Sequence, residues 1–128
     1  MTTSNNTPPS GKAALCGLSA SPISVLEKVR KGGRVWADLC EQYGVDNPDP
    51  HWKVSLEGTC NALAATQALP WLQRRFEEDD LSETLYLDVP SPERQLMALA
   101  HSMIHHGLVN EDELARKMEE VSRRLKSV

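Results

Sequence analysis

Apolar residues recur at helical spacing along most of the chain beyond residue 20. Ile23, Leu26 and Val29 fall on one face. Ser21-Pro22 stands before them as a cap followed by a proline, whose missing N–H is no loss in a first turn. Gly32-Gly33 interrupts this helix. A second, over residues 35–43, directs Val35, Leu39 and Cys40 inward with Trp36 beside them, and Gly44 is placed to end it. Residues 46–50 read DNPDP, a turn or linker without helical capacity. A third helix is expected over 52–69, with Leu56, Cys60, Leu63 and Ala64 as its stripe.

Pro70 opens a short helix, PWLQRRFEEDD. Residues 81–89 alternate weakly through TLYLDV, but one short strand has no partner, so they are expected to connect helices. Ser91-Pro92 repeats the cap-then-proline signal. Leu96, Met97, Ala100, Met103 and Ile104 follow on one face, and Gly107 stops the helix. Asn110 caps the last helix, with Glu113 three residues on as in a capping box. Its inner stripe is Leu114, Met118, Val121 and Leu125, and Arg123, Arg124 and Lys126 suit its negative C-terminal end. The pattern predicts an all-α fold: an irregular helical domain over residues 21–128 ending in a helical hairpin. Residues 1–20, rich in Thr, Ser, Asn, Pro and Gly, are expected to form a disordered or extended arm.

Charge narrows the function. With 14 Lys and Arg against 18 Asp and Glu, the formal charge is −4. That argues against broad binding to nucleic acid or an anionic membrane. No apolar run approaches the ~20 residues of a membrane span, and the polar start has no secretory core, so a cytoplasmic location is expected. The three cysteines, Cys16, Cys40 and Cys60, are odd in number and contain no C-x-x-C pair. Neither a disulfide framework nor a zinc knuckle is expected.

Few residues offer chemistry. His101 and His105 stand i, i+4 with His106 adjacent, a spacing that can ligate zinc from one face. The competing reading is an exposed polar face opposite the Leu96/Met103 stripe. The helix–GLVNEDEL–helix ending has the outline of a helix-turn-helix, but Glu111, Asp112 and Glu113 would repel phosphate. No nucleophile elbow or phosphate-cradling glycine loop is present. Arg74-Arg75, after Trp71-Leu72 on the Pro70 helix, reads two ways. Both arginines can be solvated and paired with Glu77, Glu78 or Asp79. Alternatively one faces an apolar surface, where a guanidinium fork suits an oxyanion such as carboxylate, sulfenate or sulfinate.

The order of these signals resembles the helical N-terminal part of the nitrile hydratase superfamily β subunit over residues 51–125. It is carried by the Trp52-led helix, LPWLQRRFEEDD, ETLYLDVPSPERQ and MALAHSMIHHGLVNEDELARKM. Thr59-Cys60 and the T-x-Y-L-x-x-P segment from Thr84 to Pro90 are most similar to thiocyanate hydrolase β subunits. The resemblance implies a Co(III) or Fe(III) centre on a cysteine cluster of a partner α subunit, two of those cysteines being oxidised to sulfenate and sulfinate. It places Arg75 where a family arginine hydrogen-bonds those oxidised cysteines, as the residue acting in catalysis. It makes Trp71, one turn earlier, a substrate-pocket residue, with core packing as the alternative. It assigns no metal to this chain. It departs from the family where Ser91 and Pro92 stand in place of tyrosines, and the family's β-barrel half is expected on a separate subunit. The implied activity is hydration of a nitrile to an amide within a hetero-oligomer. Thiocyanate hydrolysis, a metal-delivering accessory protein and a plain helical interaction module are the alternatives.

Overall fold

The computed structural model describes residues 21–46 and 49–126. The arm expected over 1–20, with Cys16, lies outside these residues. Six helices occur among them, with no strand: α1 Ser24–Gly32, α2 Trp36–Gln42, α3 Trp52–Ala65, α4 Trp71–Glu83, α5 Glu93–His105 and α6 Glu111–Lys126. The all-α reading holds.

α5 is the centre of the fold because its apolar residues serve two sides. Met97 and Ala98 join Val25 and Leu26 of α1 with Leu81, Tyr86 and Val89 in one buried cluster. Leu99, two residues on from Met97 and so turned well away from it, joins Leu56 and Cys60 of α3 with Leu69 in a second. Of the predicted α5 stripe, Met97, Ala100 and Ile104 serve the first cluster and Met103 the second, while Leu99, the buried residue of the second side, was not in it. Leu96 is exposed, while Ala100, Met103 and Ile104 are half-buried. α5 packs chiefly on α4, and α6 chiefly on α1.

Several boundaries differ from the sequence expectation, each for a local reason. Neither Ser21 nor Ser91 is the cap of a helix. α1 begins at Ser24 behind Ile23, and α5 begins at Glu93 behind Pro92, without a side-chain cap bond in either case. The Ser91–Pro92 peptide is cis. α1 turns Val25 with Leu26 into the core and leaves Val29 exposed. α3 stops at Ala65 because Gln67 takes a left-handed conformation, φ +60°, which no helix continues. Leu69 then folds back, its N–H donating to the Leu63 carbonyl at 3.2 Å, and is buried beside Cys60. α4 runs three residues past Asp80, so Leu81 is a helical core residue. α2 contributes no buried residue, its Leu39 and Cys40 being half-buried.

The expected glycine at the end of α5 holds. Gly107 sits at φ +74°, where a side chain would be strained, and its N–H donates to the Ile104 carbonyl at 3.1 Å. Asn110 also behaves as expected, its Oδ1 accepting the Glu113 N–H at 3.0 Å.

Residues 84–90 connect α4 to α5 as a run of turns, but they are more than a connection. Tyr86 is fully buried, and its hydroxyl lies 2.8 Å from His101 Nδ1. Burial pushes the Tyr86 hydroxyl pKa up, and burial likewise pushes up the Cys60 thiol. Both groups hold their protons more tightly when folded than when unfolded. Their contribution is therefore complete below the unfolded values of 9.0 for Cys60 and 10.0 for Tyr86 and is lost as pH rises beyond them. The thermal midpoint is expected to fall above about pH 9. In Tyr86→Phe the fall is expected to be shallower, as measured by melting curves from pH 7 to 11.

Candidate functional site

α4 carries the candidate residues, and its two faces differ in kind. Pro70 precedes it at φ −59°, and the first turn is Trp71-Leu72-Gln73-Arg74. Arg74, Glu77 and Leu81 point inward at three- and four-residue spacing. Trp71 and Arg75 are one turn apart on the outward side, Trp71 56% exposed as a residue and Arg75 56% exposed in its side chain. Leu72 beside them is 48% exposed. The result is an exposed ridge of an indole, an isobutyl group and a guanidinium.

Of the two arginines, it is Arg74 that faces the interior. Its guanidinium meets Glu78 Oε1 at 3.0 Å, while its Nε is buried without a hydrogen-bond partner. Arg75 approaches Asp79 only at 4.0 Å, the outer limit of an ion pair, and such an exposed contact stabilises little. Glu77 is fully buried. Its Oε2 accepts from Gln73 Nε2 at 3.0 Å and lies 2.7 Å from His106 Nε2 just past the end of α5. These pairs stand i, i+4 along α4, Gln73 with Glu77 and Arg74 with Glu78. Together with His106 they fix how the helix is rolled on its axis. That roll points Trp71 and Arg75 outward.

Trp71 as a core residue is therefore excluded for this chain by itself. The triple spacing 73/77, 74/78 and 75/79 was visible in QRRFEEDD. What the sequence hid was that Arg74 and Glu77, one from each of the first two pairs, would be the buried members, and that a histidine about thirty residues away would close on Glu77.

The histidines do not converge. The reading of His101 as part of an exposed polar face is overturned: it is buried against Tyr86, ring centroids 5.7 Å apart. His105 is exposed and meets His106 edge to face at 4.9 Å. Among the described residues no three His, Cys, Asp or Glu side chains are grouped so that they could hold a metal ion. Cys60 is packed among Leu56, Leu69 and Leu99. Cys40 donates its thiol hydrogen to the Val45 carbonyl. Among the described residues no helix is long and apolar enough to cross a membrane.

Residues 46–127, well over half of the chain, match the family of nitrile hydratase β-subunit N-terminal domains. The chain belongs to that family. The match spans α3 to α6 and so takes in the whole of α4, its ridge and the Tyr86 segment. No curated protein and no solved structure matches this chain. A nitrile hydratase β subunit is part of a hydratase-type enzyme and works in an oligomer with an α subunit. The ridge on α4 lies inside the part of this nitrile hydratase β domain that matches the family. A buried guanidinium such as Arg74 is already held by its own helix, whereas Arg75 is available to a partner.

Proposed function

We propose that this chain is the helical β subunit of a hetero-oligomeric nitrile hydratase-type enzyme, which adds water across a C≡N bond to give an amide. The observation that carries the reading is Arg75 set outward beside Trp71 on α4, inside the stretch that matches the family. In this reading an α subunit carries Co(III) or Fe(III), and a separate chain supplies the β-barrel. The described residues of this chain form no ligand cluster that fits the metal itself. Held by the α subunit, such a metal would supply Lewis acidity toward the nitrile or water, with no ligand from the described residues of this chain.

This chain's share is recognition and positioning. Arg75 presents a planar, permanently charged fork to the sulfur-bound oxygens of the α subunit's oxidised cysteines. Such charge-assisted hydrogen bonds contribute about 1.5–3 kcal/mol where water is excluded. They hold the cysteine oxygens in one orientation. Trp71, one turn away, gives the pocket an apolar wall for the substrate's carbon chain. Arg74–Glu78 and Glu77–His106 hold α4 at the roll that places both.

Thr84 to Pro90 and Thr59-Cys60 favour thiocyanate as a second substrate reading, since these segments are most similar to thiocyanate hydrolase β subunits. A metal-delivering accessory protein shares the helical region but leaves the finished enzyme. Reconstitution tests the proposal against it. The complete assembly is expected to turn nitrile into amide, and the same assembly prepared without this chain to show none. Full turnover in its absence contradicts the proposal. Parallel thiocyanate assays decide between the substrates.

A further inference from the structure

The last helix carries an apolar stripe that the fold does not cover. Leu114, Met118, Val121 and Leu125 are spaced four, three and four residues apart, the spacing of a coiled-coil seam. Only the first packs against the α1/α5 cluster. Further along, Met118 is 37% and Leu125 72% exposed. Met118, Val121 and Leu125 floor a groove of about 500 Å³, whose remaining lining is Arg34, Lys117, Ser122 and Lys126. Three cations and no carboxylate therefore border the apolar floor. Lys117 meets Glu120 of its own helix at 3.3 Å, an exposed pair that water screens. On the α1 side the neighbouring groove is mixed, Lys28 and Lys126 facing Glu111, Asp112 and Glu119.

We propose that the Met118–Val121–Leu125 face docks an amphipathic helix of a partner chain whose flanks are acidic. The apolar floor supplies contact area, and the cationic border selects the charge. A second copy of this chain fits poorly, because pairing this face with itself sets cation against cation. Residues 1–20 fit poorly as well, since they contain one lysine and no Asp or Glu. The inference rests on the chain having a partner, as its family membership implies, and not on the role of Arg75.

The test uses the full chain and two labelled peptides of about 14 residues, long enough for a few helical turns. They share one leucine face, with glutamates flanking it in one and lysines in the other. In fluorescence anisotropy at about 50 mM salt, the glutamate peptide is expected to bind about ten-fold tighter, the difference shrinking at about 500 mM. Reversing Arg34, Lys117 and Lys126 together to glutamate is expected to invert the preference. Leu125→Ser is expected to weaken the glutamate peptide by about five-fold, and since Leu125 is exposed the fold is kept. Equal binding, a lysine preference or no binding of either peptide overturns the proposal. So does self-association of the chain that Leu125→Ser abolishes, or a photo-crosslinker at Leu125 that joins it to residues 1–20. None of these outcomes depends on catalysis, so this proposal and the turnover reading fail separately.

Discussion

Replacing Arg75 by alanine is expected to lower kcat of the assembled enzyme by roughly ten- to a hundred-fold, while leaving the fold of this chain intact. The size follows from the loss of about 1.5–3 kcal/mol of charge-assisted hydrogen bonding at about 1.4 kcal/mol per factor of ten. The intact fold follows from exposure: Arg75 meets only Asp79, at 4.0 Å, so its removal should shift stability by no more than about 0.5 kcal/mol. Arg75→Lys keeps the charge but loses the planar fork and is expected to fall between the two. Arg74→Ala is the contrasting variant. It removes the buried half of the Arg74–Glu78 pair and is expected to lower the thermal midpoint. Steady-state rates on assembled enzyme, set beside melting curves, separate the two arginines. A kcat unchanged in Arg75→Ala makes Arg75 an ordinary solvated charge.

The largest effect on stability is expected at Tyr86. Tyr86→Ala should cost about 3–5 kcal/mol, the range for deleting a buried aromatic ring, which is a large part of the stability of a domain this size. The ring packs with Leu81, Val89, Met97 and the α1 residues Val25 and Leu26, so the cavity would open where three segments meet. Tyr86→Phe keeps the ring and removes the hydroxyl that bonds His101 Nδ1, for about 1–3 kcal/mol. Denaturant melts of both variants measure the difference. Equal losses would mean that the hydrogen bond, and not the ring, carries the site.

The all-α fold, the glycines Gly33, Gly44 and Gly107 that follow helices, and the Asn110 cap were legible because each is set by a local rule: periodicity, positive φ, an orphan backbone N–H. The Ser-Pro signals misplaced two helix starts by a residue or two, since several residues can occupy a first turn and packing decides among them. The end of α3 was hidden because a left-handed Gln67 has no compositional sign. Tyr86 and His101 were illegible for a different reason. Each looks polar alone, and only their meeting across fifteen residues lets both be buried. Arg75 and Trp71 were singled out by resemblance, and the fold set both outward on one side of α4. The buried charges beneath them, Arg74 and Glu77, came into view only with the packing of α4 on α5.

As a lasting subunit of a metal-bearing hydratase, this chain is expected to stay with the finished complex. Native mass spectrometry with metal analysis, on the complex purified from its source, tests this most directly. This chain is expected in stoichiometric amount with an α subunit that carries cobalt or iron. An active, metal-loaded enzyme that lacks this chain, with the chain itself running free and metal-less, would contradict it.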